Sequence, residues 1–122
     1  MANLTASEVL DSIRLDSSEV SLETVEQLID DAVDEVNLRA GTSIPHMSGD
    51  SGSKSLTLTG DEKVAVKLCA ILNLMQHLGL TLSPGQEVGG GAYGDVAAPF
   101  RGVSRRLDQA VARLKRRDLI RA

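Results

Sequence analysis

The stretch from Val64 to Leu78 limits what this chain can become more than any other part of it, because Lys67, Asn73, Gln76 and His77 are its only strongly polar side chains. Thr59 and Glu62 stand at capping-box spacing ahead of it and Gly79 follows it, so the pattern predicts a helix that starts near Asp61 and stops at Gly79. A helix apolar on nearly every side has to be covered on nearly every side, by other elements of its own chain or by a neighbouring subunit. With 122 residues the chain has room for one domain with one core, spanning 1–122. Aromatic residues hardly contribute, since Tyr93 and Phe100 are the only two. The cover therefore has to come from Leu, Val, Ile and Ala, and no stacking platform for unpaired bases can be built, which makes single-stranded nucleic acid a poor partner.

The covering elements are legible as amphipathic segments. Thr5 with Glu8, followed by Val9, Leu10 and Ile13, predicts a short first helix ending near Leu15. After the polar break Asp16-Ser17-Ser18, Ser21 is a natural N-cap for a second helix carrying Leu22, Val25, Ile29, Ala32 and Val36 on one stripe and stopping at Gly41. Its remaining faces hold Glu23, Glu26, Asp30, Asp31, Asp34 and Glu35, which predicts a solvated acidic exterior. Between 41 and 60 the chain is rich in Gly, Ser and Thr, and only Ser55 to Thr59 alternates as a strand does. Such a strand needs a partner, either elsewhere in this chain, such as the 80s, or on a neighbouring subunit. A glycine-rich loop is expected over about 83–99, opened by Ser83-Pro84-Gly85, and a last helix from about Val103 to Leu119 or 120. The expected fold is mainly α: a small bundle of about four helices, with a core over about 4–80, a short strand or hairpin, and the glycine-rich loop.

The net charge of −4 conceals a division along the chain. Residues 1–62 hold thirteen acids against three bases, whereas 101–122 hold eight bases, seven of them Arg, against Asp108 and Asp118. The last helix thus combines an apolar stripe of Val103, Leu107, Ala110, Val111 and Leu114 with an arginine-bearing remainder. A solvated face, a phosphate-contacting element and a surface for an acidic partner all fit that pattern, and the arginine bias favours contact because arginine's planar fork suits carboxylate and phosphate alike.

Motifs for chemistry are weak throughout. Gly89 to Gly94 satisfies the spacing G-x-G-x-x-G, but no buried strand precedes it, no βαβ pattern surrounds it, and Pro99 and Gly102 are expected to interrupt any helix after it. No Gly-Lys-Ser/Thr and no Gly-x-Ser-x-Gly occurs. His46 and His77 lie far apart, with Cys69 the only cysteine, so no zinc-ligand spacing exists. Cys69 reads as a small core residue, His77 as a partner of its helix's C-terminal dipole, and His46 as a loop residue. The start of the chain lacks the pattern of a secretory signal, and no apolar run is clean enough to cross a membrane. No catalytic, cofactor-binding or metal site is expected, and no enzymatic turnover.

The order of a short helix ending in Ile13-Arg14-Leu15-Asp16, an acidic amphipathic helix from Leu22 to Ala40-Gly41, a Ser/Thr loop ending in Leu56-Thr57-Leu58-Thr59 and an apolar helix from Asp61 resembles the head-tail connector (adaptor, or head-completion) proteins of tailed bacteriophages and related viruses. The resemblance covers roughly residues 4–80. It implies a structural virion protein, assembled in the host cytoplasm and located at the neck, whose copies form a ring, commonly twelve-fold, below the portal. Such a ring extends the DNA channel without sequence-specific binding and docks the tail through a further connector or stopper protein. In such families a carboxyl-terminal segment often engages the portal. The expected interface with the portal or a neighbouring subunit is therefore Arg105, Arg106, Leu107, Val111, Arg113, Leu114, Arg116 and Arg117, on a helix whose removal should leave the fold of 4–80 intact. The alternative is a small DNA-binding or packaging accessory protein that lays the same helix on phosphates.

Overall fold

The computed structural model describes residues 2–13, 20–78 and 92–121, with the side chains of the last helix described over 102–116. The order is β1 (Ala2–Thr5), α1 (Ala6–Ser12), α2 (Leu22–Ala40), β2 (Ser55–Leu58), α3 (Gly60–His77) and α4 (Ala92–Arg121). The mainly α fold, with four helices among the described residues, is as expected. Arg14, Leu15 and Asp16, the polar break after them, Gly79 and the glycine-rich stretch from Ser83 to Gly91 lie outside the described residues.

Capping chemistry sets the boundaries where the sequence places it. Thr5 accepts the Glu8 N–H and Ser21 the Thr24 N–H, and Thr59 and Glu62 form a reciprocal capping box that opens α3. Gly41 closes α2 in the left-handed conformation, φ 73°, at no steric cost because it has no Cβ. Helix α1 is shorter than expected: it ends at Ser12, with Ile13 as its cap.

The strand at Ser55–Leu58 exists, and its partner lies elsewhere in this chain, at the first described residues. It pairs antiparallel with β1, in the register Ala2↔Leu58, Asn3↔Thr57, Leu4↔Leu56 and Thr5↔Ser55. Period-two alternation turns Leu4, Leu56 and Leu58 into the core, while on the outer face the Thr57 hydroxyl donates to Asn3 Oδ1 at 2.8 Å. The ribbon ties the start of the chain to the threshold of α3.

Helix α3 is the centre of the fold. Ala65, Val66, Leu68, Cys69, Ala70, Ile71, Leu74 and Met75 are all buried, which leaves few positions for solvent. Helices α2 and α4 lie along it, and α1 and β1 cover the remainder, so its cover comes from within the chain. Helix α4 departs most from expectation. It begins at Ala92, not near Val103, and runs through Pro99 and Gly102 without a break. An internal proline removes one backbone hydrogen bond and crowds the preceding turn, costing about 3 kcal/mol, and here the alanine-rich surroundings and the long continuation outweigh it. The glycine-rich loop is therefore not a loop over 92–99, and a helix does begin within the G-x-G-x-x-G spacing, at Ala92. Among the described residues, however, the only sheet is the antiparallel pair, so the βαβ context of a dinucleotide site is still missing.

The second departure concerns what α4 buries. Leu107, Ala110, Val111 and Leu114 belong to the chain's own core, against α3. The stripe expected to anchor a partner anchors the helix to its own protomer, and residues 4–80 do not form a complete core without it. Leu114→Ala should lower the unfolding free energy by about 2–5 kcal/mol in urea titrations, as for other buried leucines. A loss under about 0.5 kcal/mol, the size of an ordinary surface substitution, would show that α4 does not cover α3.

Candidate interaction surfaces

Helix α2 uses its polar side chains in two ways. Along one flank they organise the segment 41–54. The Asn37 side chain accepts from the Ile44 N–H and the Thr42 hydroxyl and donates to the Ile44 carbonyl. Asp30 accepts the Met47 N–H at 2.9 Å, and His46 Nε2 meets Asp34 Oδ1 at 2.8 Å. Glu26, expected on the solvated face, is instead buried at 2% exposure, where its two oxygens accept the N–H groups of Gly52 at 2.9 Å and Lys54 at 2.8 Å. Gly52 holds φ 88°, a conformation that presents its N–H to this carboxylate and that a side chain would strain. A backbone that winds through 41–54 with no ladder of its own leaves donors to be satisfied, and α2 supplies acceptors for them. No spacing rule marks Glu26, Asp30 or Asn37 for this work, because acceptor and loop lie many residues apart.

Along its other flank α2 faces solvent, with Asp31 accepting from Gln27 Nε2 one turn earlier at 3.1 Å. Asp31 and Glu35 are exposed, Leu28 is half-buried, and Leu38 is 84% exposed, the barest large apolar side chain among the described residues. Positions 28, 31, 35 and 38 follow helical spacing and form one stripe, apolar at each end and acidic between. Beside it runs an open groove of about 430 Å³ between α2 and α3, lined by Leu28, Asp31, Glu35, Asn73, Gln76 and His77. Asn73 bridges the floor by donating to the Leu28 carbonyl at 3.3 Å.

The basic surface is on α4. Arg105, Arg106, Arg113, Lys115 and Arg116 are exposed and make no ion pair among the described residues. Of the eight expected interface residues, then, four arginines are available on the surface and three apolar ones are buried. The side chain of Arg117 lies outside the described residues. Among the described side chains of the helix the one acid is Asp108, which is exposed and joins Arg39 of α2 at 2.7 Å. That contact fixes the register of α4 beside α2 and adds at most about 1 kcal/mol, since it is open to solvent.

The remaining titratable groups are structural. Glu8 Oε2 lies 3.0 Å from Lys63 Nζ and 3.2 Å from Lys67 Nζ, clamping α1 to α3. Burial pushes the Glu8 carboxyl up, but the two ammonium groups outweigh it and hold its pKa below the ordinary 4.5. Hydrogen bonding to Asp34 raises the His46 imidazole above its ordinary 6.5, with the charges of Asp30, Asp34 and Asp31 assisting against slight desolvation. Burial, with a smaller push from Glu35, raises the Cys69 thiol to about 11 against the opposing pull of Arg39, so it stays protonated and unreactive. Among the described residues no three His, Cys, Asp or Glu side chains converge as metal ligands, and no helix is long and apolar enough to cross a membrane. Comparisons with protein-family models, with curated proteins and with solved structures return no match.

Two outcomes follow from these contacts. Glu26→Ala should cost about 2–4 kcal/mol, because two N–H groups lose a charged acceptor, and the amides of Gly52 and Lys54 should exchange with solvent markedly faster. Unchanged exchange at both amides would exclude Glu26 as the anchor of the loop. The clamp at Glu8 should stabilise the fold at pH values above 4.5 and be lost as pH falls through its lowered folded pKa. The melting temperature of Glu8→Gln should accordingly lie below that of the parent near neutral pH, and the gap should close in acid. A gap independent of pH would rule out the ion pairs as its source.

Proposed function

We propose that this chain is a structural virion protein, a head-tail connector whose copies form a ring below the portal, extend the DNA channel and dock the tail. One observation carries the proposal: each protomer presents an acidic flank on α2 and a separate arginine flank on α4, with the Arg39–Asp108 contact the only ion pair between the two helices among the described residues. A molecule with two unlike, complementary surfaces associates head to tail, and head-to-tail contacts either close into rings or extend as filaments.

The helical order over 4–80 that resembles the connector proteins supports the closed ring, with twelve subunits the common number in such families. In this role the exposed arginines of α4 meet acidic groups of a neighbouring subunit or of the portal. The channel lets duplex DNA slide, so acids on its wall help by not retaining phosphates. The work is mechanical and adhesive, with no chemistry on a substrate and no cofactor.

Native mass spectrometry and negative-stain electron microscopy of the full chain test this directly. The expected result is a closed ring of one subunit number with a central channel, which stacks on the portal ring of the same virus and binds linear duplex DNA weakly at physiological salt. A monomer that binds duplex DNA tightly and in a strongly salt-dependent way would replace the connector with the accessory-protein alternative, in which the arginines of α4 lie on phosphates.

A further inference from the structure

We propose that the α2–α3 groove of one subunit is the seat for the arginine face of α4 from a second copy of this chain, with Asp31 and Glu35 opposite Arg113 and Arg116. The pairing deepens the ring reading above and rests on its claim of self-association. It starts from two features that the single chain leaves without a use.

The first is the groove. Its wall on α2 carries Asp31 and Glu35, one turn apart, and neither is joined to a cation among the described residues. Leu28 and Leu38 flank them, and Leu38 at 84% exposure has no intrachain cover. A solvated helix face gains nothing from a bare leucine, whereas an interface gains an apolar contact at the edge of a charged one. The second feature is the exposed face of α4, where Arg106, Gln109, Arg113 and Arg116 recur at the same helical spacing as Leu28, Asp31, Glu35 and Leu38. Arg113 and Arg116 are three residues apart and Asp31 and Glu35 four, so the charges are separated by about 4.5 Å of rise on α4 and about 6 Å on α2. Two helices laid side by side can therefore match both pairs at once. Ala112, small and exposed one turn before Arg116, leaves room for close approach at the edge of this face, and the arginine stems offer methylene surface to Leu28 and Leu38.

A second copy is the occupant because the chain already carries the complement that the groove requires. The arginine face and the acidic groove occur once each per subunit, so each subunit uses both, one toward each neighbour. An identical pair meeting about a two-fold axis would satisfy both surfaces only if they were adjacent and reciprocal, whereas head-to-tail use leaves none unfilled in a closed ring.

Three variants of the full chain test the pairing: Asp31→Arg with Glu35→Arg, Arg113→Glu with Arg116→Glu, and all four substitutions together, each checked for unchanged helicity by circular dichroism. Sedimentation equilibrium should show each double variant shifted to about tenfold or greater concentrations for assembly, because like charges then face each other. The four-fold variant, and an equimolar mixture of the two double variants, should recover assembly toward the parent level. If the parent assembles but the double variants assemble equally well, or the four-fold variant fails to recover, the pairing is wrong while the ring stands. A parent that stays monomeric at every concentration overturns both.

Discussion

The fold depends on covering α3. Its eight buried side chains leave no broad face for water, so every other element is placed by the need to lie against it. Helix α2 takes one side, α4 another, and the short α1 with β1 fills what remains. The Glu8 carboxylate, held between Lys63 and Lys67, fastens α1 at the same place where the capping box at Thr59 and Glu62 starts α3. The β1–β2 pair then brings the chain's first strand to the doorstep of that helix. Once α3 is enclosed within one protomer, association is free to use polar surfaces, which suits an assembly whose subunits fold first and join later.

The acidic half of the chain commits only part of its charge to building the protomer. Glu26, Asp30 and Asp34 are spent on the segment 41–54, which has no regular backbone pairing beyond the Ser48–Ser55 bridge and the β2 strand. Asp31 and Glu35, one helical flank away, have no such duty. The helical period of 3.6 residues separates the two sets, so acids that look equivalent in sequence differ completely in what they do.

Much of this was legible from residues alone. The caps at Thr5, Ser21, Gly41 and Thr59 are local chemistry, encoded within three or four positions, and each is where the sequence puts it. The stripes of α2 and α3 are likewise written in spacing. What could not be read depends on distant pairs. β1 has only Thr5 as a strand-favouring residue, which also caps α1, and its partner is about fifty residues away. Buried Glu26 belongs to a loop that no periodicity marks. The apolar stripe of α4 was legible as a stripe, but a helix face that wants burial carries no mark of whether its own chain or another will bury it. Leu107, Val111 and Leu114 turned inward, and among the described side chains of α4 the arginines remain exposed. Pro99 and Gly102 signalled a break that the long helix overrides.

The central claim is that unlike faces of one small helical protomer join head to tail. A cryo-electron microscopy reconstruction of the assembled full chain tests it most directly. The expected map is a closed ring in which Arg113 and Arg116 of each subunit lie within about 4 Å of Asp31 and Glu35 of the next, every groove filled by a neighbour's α4. An assembly in which identical faces meet across two-fold axes, with the grooves empty and the arginines of α4 in solvent, would contradict it.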